Sequence, residues 1–301
     1  MTLYIGIDLS TDPANTGIAA LRGNGENGPV VHLVHGRWCG TVPEWLAQFQ
    51  NNFEEIPESD FASKARRIVT IVNSIVGSPQ RENGNVIVAI DVPFGWPTRF
   101  RNAIFQHEIG NAIMVDYNNF CYRYTEQIII DDVNYRSRSP LSVSTDKIGR
   151  TAMLGSWLLA SLTSEGFAIQ RNTITGEKLK IIEVYPTATA YALAAQDPNG
   201  KFTLRKFYNR FLEANRLNKK EPIDRFDALF AAYTAYLVNN QNHYFDWNHG
   251  QLNNEQQGIV DSEGWIWAPN RAQIDGNDRR VHLDFIRPLL QRARREQFPR
   301  S

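Results

Sequence analysis

Three apolar runs of the chain end in the same way. GIDLS places Asp8, AIDVP places Asp91 and IEVYP places Glu183 at or near the carboxyl end of a β-rich run. A fourth segment, PIDRFDALFAAYTAYL, reads as a helix that carries Asp224 and Asp227 on one face near its N-terminus. A buried carboxylate without a partner costs several kcal/mol or gives up its charge. Each acid therefore needs water, a cation or a hydrogen-bond donor. If the strands of Asp91 and Glu183 run parallel to that of Asp8, the carboxylates gather at one sheet edge, where open α/β sheets bind ligands. Acids converging there repel one another, and hard, oxygen-seeking cations relieve the repulsion. Mg²⁺ or Mn²⁺ suits such donors, whereas no cysteine and histidine set is spaced for zinc. Two ions about 3.5–4 Å apart would activate water and stabilise the leaving oxygen in phosphodiester cleavage.

On this reading Asp8, Asp91, Glu183 and Asp227 are the catalytic acids, and Asp8, Asp91, Asp224 and Asp227 hold metal. Arg99, Arg101 and Arg123 could hold phosphate oxygens. Structural roles compete at every position. Asp8 could orient a turn, and Asp91 could be tied by backbone amides around Pro93 and Gly95. Glu183 could pair with an arginine such as Arg123 or Arg150. Asp224 follows Pro222 and Ile223 as a helix N-cap, with Asp227 near the capping-box position. His107–Glu108, His32–His35 and His243 show no ligand spacing and read as surface or packing residues. Glu263, before the apolar WIW, is a minor candidate.

The elements that must position these acids follow from periodicity. LYIGIDL, NTGIAALR and PVVHLVHG read as an antiparallel meander over the first 36 residues. FASKARRIVTIVNSIVG puts Ala65, Ile68, Val72 and Ile75 on one helical face and ends at Gly77. VIVAIDV and KLKIIEVYP are near-continuous apolar strands of the kind buried on both faces of a parallel sheet. Between them lies a segment at about 98–148, rich in Arg, Asn and Tyr and weakly periodic, which reads as an insertion, and then a helix ending at Gly166. Residues 202–216 read as helical, SEGWIWAP as a late strand, and about 278–301 as a basic terminal segment. A meander followed by strand–helix–strand units implies one α/β domain over 1–301, a mixed sheet with helices on both faces.

Composition narrows the function classes. The 301 residues are 42% hydrophobic with zero formal net charge, which argues against coating nucleic acid through a strong overall field but leaves room for a local basic groove. Cys39 and Cys121 form no disulfide framework. No apolar stretch nears the roughly 18–20 residues of a membrane span, and TLYIGIDL reads as a structural strand rather than a leader. A cytoplasmic protein with no membrane partner is the expectation.

GIDLS with NTGIAAL, AIDVPFGWP, RYTE at 123–126, STDKIG, EVYP, DRFDALFAA and EGWIWAP occur in that order, and together they resemble the domain-of-unknown-function family 429. The resemblance implies a nuclease with a ribonuclease-H-like fold, a five-stranded sheet of order 3-2-1-4-5, and a metal-binding cluster at Asp8, Asp91, Glu183 and Asp227. It likens Asp224 and Asp227 to the last-helix acids of Holliday-junction resolvases. It sets Arg123, Thr125 and Glu126 in the family's Arg-x-Thr-acid motif, and these three are read here, with Arg99 and Arg101, as substrate-binding residues. Two rival classes use the same strands. An actin-like or sugar-kinase-like phosphotransferase would need glycine where Leu9 stands and a second glycine loop where DVPFGWP is proline-rich. A non-catalytic binding protein would keep the acids for structure alone.

Overall fold

The structure is a computed structural model that describes residues 2–11, 16–23, 29–35, 60–113, 116–131, 140–144, 148–189, 224–239 and 252–268. Its centre is a mixed sheet. β1 (Thr2–Asp8) pairs antiparallel with β2 (Gly17–Gly23), which pairs antiparallel with β3 (Pro29–His35). On its other side β1 runs parallel to β4 (Asn85–Asp91), and β4 runs parallel to β6 (Leu179–Val184). The outer edge of β6 is shared by two short parallel strands. β5 (Ala168–Ile169) takes its first half and β7 (Ile266–Trp267) its last.

Among the described residues the sheet therefore has seven strands in the order β3-β2-β1-β4-β6-β5, with β7 also on β6, in place of the expected five in order 3-2-1-4-5. Two-residue strands are too short to show an alternation, so periodicity alone misses β5.

Helices cover both faces. α1 (Phe61–Asn83) and α5 (Gly149–Ser164) pack on one face against Leu3, Ile5, Ile7, Val86, Val88, Ile90 and Ile181. α6 (Asp224–Asn239) packs on the other against Tyr4, Ile87, Ala89, Ile182 and Val184. Odd positions of β1 thus face α1 and even positions face α6, as the two-residue period of a strand requires. Asp60 starts α1 by accepting the Ser63 N–H at 2.9 Å. The expected stop at Gly77 is a kink instead: its φ of 64° leaves the helix, and helical pairing resumes as far as Asn83. α5 ends as read, at Gly166 with φ +90°, where the Phe167 N–H reaches back to the Leu162 carbonyl.

The segment after β4 holds α2 (Thr98–Gln106), α3 (Tyr117–Cys121) and α4 (Tyr124–Asp131), and α7 (Asn254–Glu263) precedes β7. Residues 202–216 and 278–301, with their expected helix and basic segment, lie outside the described residues. Among the described residues no helix is long and apolar enough to cross a membrane.

Candidate acidic site at the carboxyl edge of the sheet

Asp8 and Asp91 are the last residues of neighbouring parallel strands, and they are register partners. Adjacent strands lie about 4.8 Å apart, so the two carboxylates start side by side. Each follows the α6-facing position two residues before it, Gly6 and Ala89, and so projects on the α6 side. Both are partly exposed.

Gly6 explains how α6 reaches them. A Cβ on Gly6 would lie 1.9 Å from the Ala228 carbonyl oxygen and 2.3 Å from the Ala232 nitrogen. The helix backbone therefore rests directly on β1, cushioned by the buried Ala228, Ala231, Ala232 and Ala235. At the far end of the helix, Asn239 donates to the Tyr4 hydroxyl at 2.9 Å. α6 thus runs antiparallel to β1, and its N-terminus arrives at the edge where Asp8 ends. Asp227, next to Ala228 and partly exposed, comes with it. The positive end of the helix dipole also points to this edge, which favours negative charge there. Asp224 opens the helix, but its side chain lies outside the described residues.

Electrostatics records the convergence. Burial holds the Asp91 carboxyl well above the usual carboxylate range, and the negative charges of Asp227 and Glu183 push it the same way. In cation-free protein Asp91 holds its proton more tightly than an ordinary aspartate.

Glu183 belongs to a different arrangement. It shares the parity of Ile181, so it starts on the α1 side of the sheet, opposite Asp91. It is 2% exposed, and its Oε1 accepts from Arg123 Nη2 at 2.5 Å. Its Oε2 accepts from Arg123 Nη1 at 2.9 Å and from the Phe94 N–H at 3.0 Å. Arg123, 1% exposed, also donates from Nε and Nη2 to Glu126 Oε1 at 3.0 and 2.7 Å, and from Nη1 to the Glu263 carbonyl at 3.1 Å. Burial alone would weaken the hold of Arg123 on its proton, but Glu126 and Glu183 outweigh it and keep the guanidinium charged. Burial keeps the Glu183 carboxyl above its ordinary range, against the opposing pull of Arg123 and the Phe94 N–H.

The motif residues Arg123, Thr125 and Glu126 are accordingly turned inward rather than towards substrate. The Thr125 hydroxyl accepts the Ile266 N–H at 3.0 Å, tying α4 to β7, and Glu126 is spent on Arg123. A guanidinium in this position has no face left for a phosphate. Arg99 and Arg101 differ: both stand exposed on α2, with Arg101 donating to Thr98 Oγ1 at 3.3 Å.

Two further residues serve the site. Glu263 accepts the N–H of Thr98 at 2.5 Å and of Tyr124 at 2.8 Å, the first residues of α2 and α4. One buried carboxylate thus caps two helices, and α2 has no cap of its own. Lys64, 1% exposed on α1, donates to the Thr11 carbonyl at 2.7 Å and pins the segment after Asp8. The sequence carries a signal for it, since Lys64 falls on the apolar stripe with Phe61, Ala65 and Ile68.

Among the described residues no three His, Cys, Asp or Glu side chains form a group that could by itself hold a metal ion. The donor chemistry nevertheless fits a hard divalent ion. Mg²⁺ commonly takes one or two carboxylates and completes its shell with water and substrate oxygens, and Asp8 with Asp91 supplies that pair.

The sequence model of the family described as "Protein of unknown function (DUF429)" matches residues 6–245. The chain belongs to DUF429. No curated protein matches it, and no solved structure does. The family match takes in Asp8, Asp91, Arg123, Glu126, Glu183 and Asp227, whereas Glu263 and β7 lie past its end. In this DUF429 protein the clasp around Arg123 is thus completed from outside the matched span.

The raised Asp91 carboxyl sets a pH dependence. Below its ordinary value of 3.8, Asp91 is protonated whether the protein is folded or unfolded, and it costs nothing. Above that value the folded state binds more protons than the unfolded one, so stability falls with rising pH until the folded group has ionised. Asp91→Asn therefore raises the melting temperature at neutral pH, by roughly 2–4 °C for each kcal/mol of desolvation and repulsion relieved. That gain disappears in acid, and calorimetry of both proteins across the range checks it.

Proposed function

We propose that this DUF429 protein is a divalent-metal-dependent nuclease that hydrolyses phosphodiester bonds of a nucleic acid, with Mg²⁺ or Mn²⁺ held at Asp8 and Asp91. The observation that carries the reading is the register of Asp8 with Asp91 beneath the N-terminus of α6. It is the edge arrangement expected of a ribonuclease-H-like sheet, with Asp227 brought in by the last long helix described. When bound, the cation supplies Lewis acidity towards a phosphoryl oxygen and acidifies water.

The chain's own residues divide the remaining work. Asp8 and Asp91 would hold the cation, and because Asp91 would have to be ionised to do so, affinity should rise with pH. Asp227 stands close enough to Asp91 to raise its carboxyl, where it can orient water or accept its proton. On this reading Asp224, one helical turn earlier in the sequence of α6, would be the carboxylate for a second ion. Arg99 and Arg101 follow directly on the site's own loop and offer exposed guanidinium groups to phosphate oxygens.

The test is a panel of single-stranded and duplex DNA and RNA oligonucleotides in Mg²⁺ or Mn²⁺, with wild type and Asp8→Asn purified in parallel. Wild type should cleave at least one class, chelation should stop it, and Asp8→Asn should lose about 100-fold or more, beyond what substitutions behind a metal ligand cost. Equal cleavage by both proteins would remove Asp8 from the mechanism.

A further inference from the structure

We propose that Glu183 is a positioning residue for Asp91, acting through the Phe94 amide and itself held by Arg123. The inference rests on Asp91 being a cation ligand, and it gives Glu183 a role other than ligation.

The pairing of the strands shows why Asp91 needs help. On the β1 side Asp91 has Asp8 as its register partner, but the ladder between β4 and β6 ends one residue earlier, at Ile90 and Glu183. Among the described residues, no residue of Asp91-Val92-Pro93 is a ladder partner of β6 beyond that pair. The Glu183 side chain continues where the ladder stops, with Oε2 accepting the Phe94 N–H at 3.0 Å. That bond closes the turn three residues after Asp91 and fixes the direction in which the aspartate leaves the sheet.

The same turn is held twice more by Glu263. A Cβ on Gly95 would stand 2.7 Å from the Glu263 carbonyl oxygen, and the Thr98 N–H donates to the Glu263 carboxylate at 2.5 Å. At Gly264, where φ is +90°, an added Cβ would stand 3.0 Å from Glu183 Oε2, so a side chain there would press on the carboxylate. Arg123 joins the two acids, since Nη1 reaches both Glu183 Oε2 at 2.9 Å and the Glu263 carbonyl at 3.1 Å.

Direct ligation by Glu183 is the poorer use of this geometry. Both its oxygens are engaged, its side chain is 2% exposed, and it starts on the opposite face from Asp91. To reach a cation it would have to abandon the guanidinium, leaving Arg123 facing Glu126 alone. Groups behind a metal ligand that fix its direction are worth about 10–100-fold in metal affinity.

Glu183→Gln tests the proposal. Its amide must turn NH₂ either on Arg123 Nη2 or on Arg123 Nη1 together with the Phe94 N–H, all donors, so at least one contact is lost with the charge that holds Arg123. Glu183→Asp is the second variant: it keeps the charge for Arg123 but draws the carboxylate away from Phe94. Val72→Ala, in the core beneath α1, serves as the destabilised control. Two quantities are measured on each protein, amide exchange at Phe94 by NMR without metal, and the Mn²⁺ dissociation constant from the free Mn²⁺ resonance signal.

In Glu183→Asp the Phe94 amide should lose protection while Val88 and Ile90 keep theirs, and Mn²⁺ should bind about 10–100-fold more weakly. In Glu183→Gln the two readings should change together. Val72→Ala should change neither, whatever its melting temperature. Unchanged Phe94 exchange in Glu183→Asp, or unchanged Mn²⁺ affinity despite a loosened amide in either variant, overturns the role. Loss of Mn²⁺ binding as complete as in Asp91→Asn overturns it too, by making Glu183 a ligand. Wild type that binds Mn²⁺ no better than Asp91→Asn is a separate failure: it removes the cation from Asp91, and the positioning role falls with the proposed function.

Discussion

Alanine at position 6 should cost this protein more than about 3 kcal/mol, or prevent folding, although it adds a single methyl group. Overpacked cores typically lose about 1–3 kcal/mol because side chains can shift aside. At Gly6 the obstruction is backbone, with the new Cβ placed 1.9 Å from the Ala228 oxygen and 2.3 Å from the Ala232 nitrogen. To make room, α6 must lift from β1 and lose the buried contacts of Ala228, Ala231, Ala232 and Ala235 together. Denaturant titration of Gly6→Ala measures the cost. Where the variant still folds, the lifted helix carries Asp227 away from Asp91, so a misplacement of about 1 Å should also lower activity by about 100-fold. A loss below about 1 kcal/mol would mean that α6 does not sit where its alanines place it.

Arg123→Met should be nearly as damaging, for an electrostatic reason. Methionine fills much of the volume but leaves Glu126 and Glu183 buried without a cation, and removing one partner from a buried ion pair costs about 3–5 kcal/mol. The pH dependence separates this from lost packing. Without Arg123, the Glu183 carboxyl moves further above its ordinary value of 4.5, because the charge that opposed burial is gone. A folded carboxyl above its unfolded value destabilises as pH rises through the interval between them. The penalty of Arg123→Met should therefore shrink as pH falls towards 4.5. Adding Glu126→Gln and Glu183→Gln should recover much of the loss at neutral pH. A penalty independent of pH would point to packing instead.

The parts of the fold legible in the sequence were those with a repeating apolar pattern. β1, β4 and β6 are apolar runs buried on both faces, and each ends or nearly ends in an acid. α6 announced itself through the alanines that Gly6 requires. By contrast, α2 buries no residue at all, and α4 buries Thr125 and Glu126 beside Ile129, so neither offers the stripe from which a helix is read.

The candidate site was legible in the same uneven way. Asp8 and Asp91 are partners because two strands run parallel in register, which their shared pattern implied. AIDVP and IEVYP look alike in sequence, yet Asp91 and Glu183 lie on opposite faces. In strands buried on both sides, hydropathy does not say which parity faces which helix. The inward turn of Arg123 and the double cap by Glu263 join residues 60 to 165 positions apart, and no local pattern encodes such contacts.

Crystals soaked in Mn²⁺ and measured at the manganese absorption edge test cation binding between Asp8 and Asp91 most directly. The expected result is an anomalous peak within about 2.0–2.5 Å of oxygens from both Asp8 and Asp91, on the α6 side of the sheet with Asp227 facing it, and no peak at Glu183. A soak that leaves this edge without a peak, or puts manganese on Glu183 with Arg123 displaced, would contradict cation binding by Asp8 and Asp91.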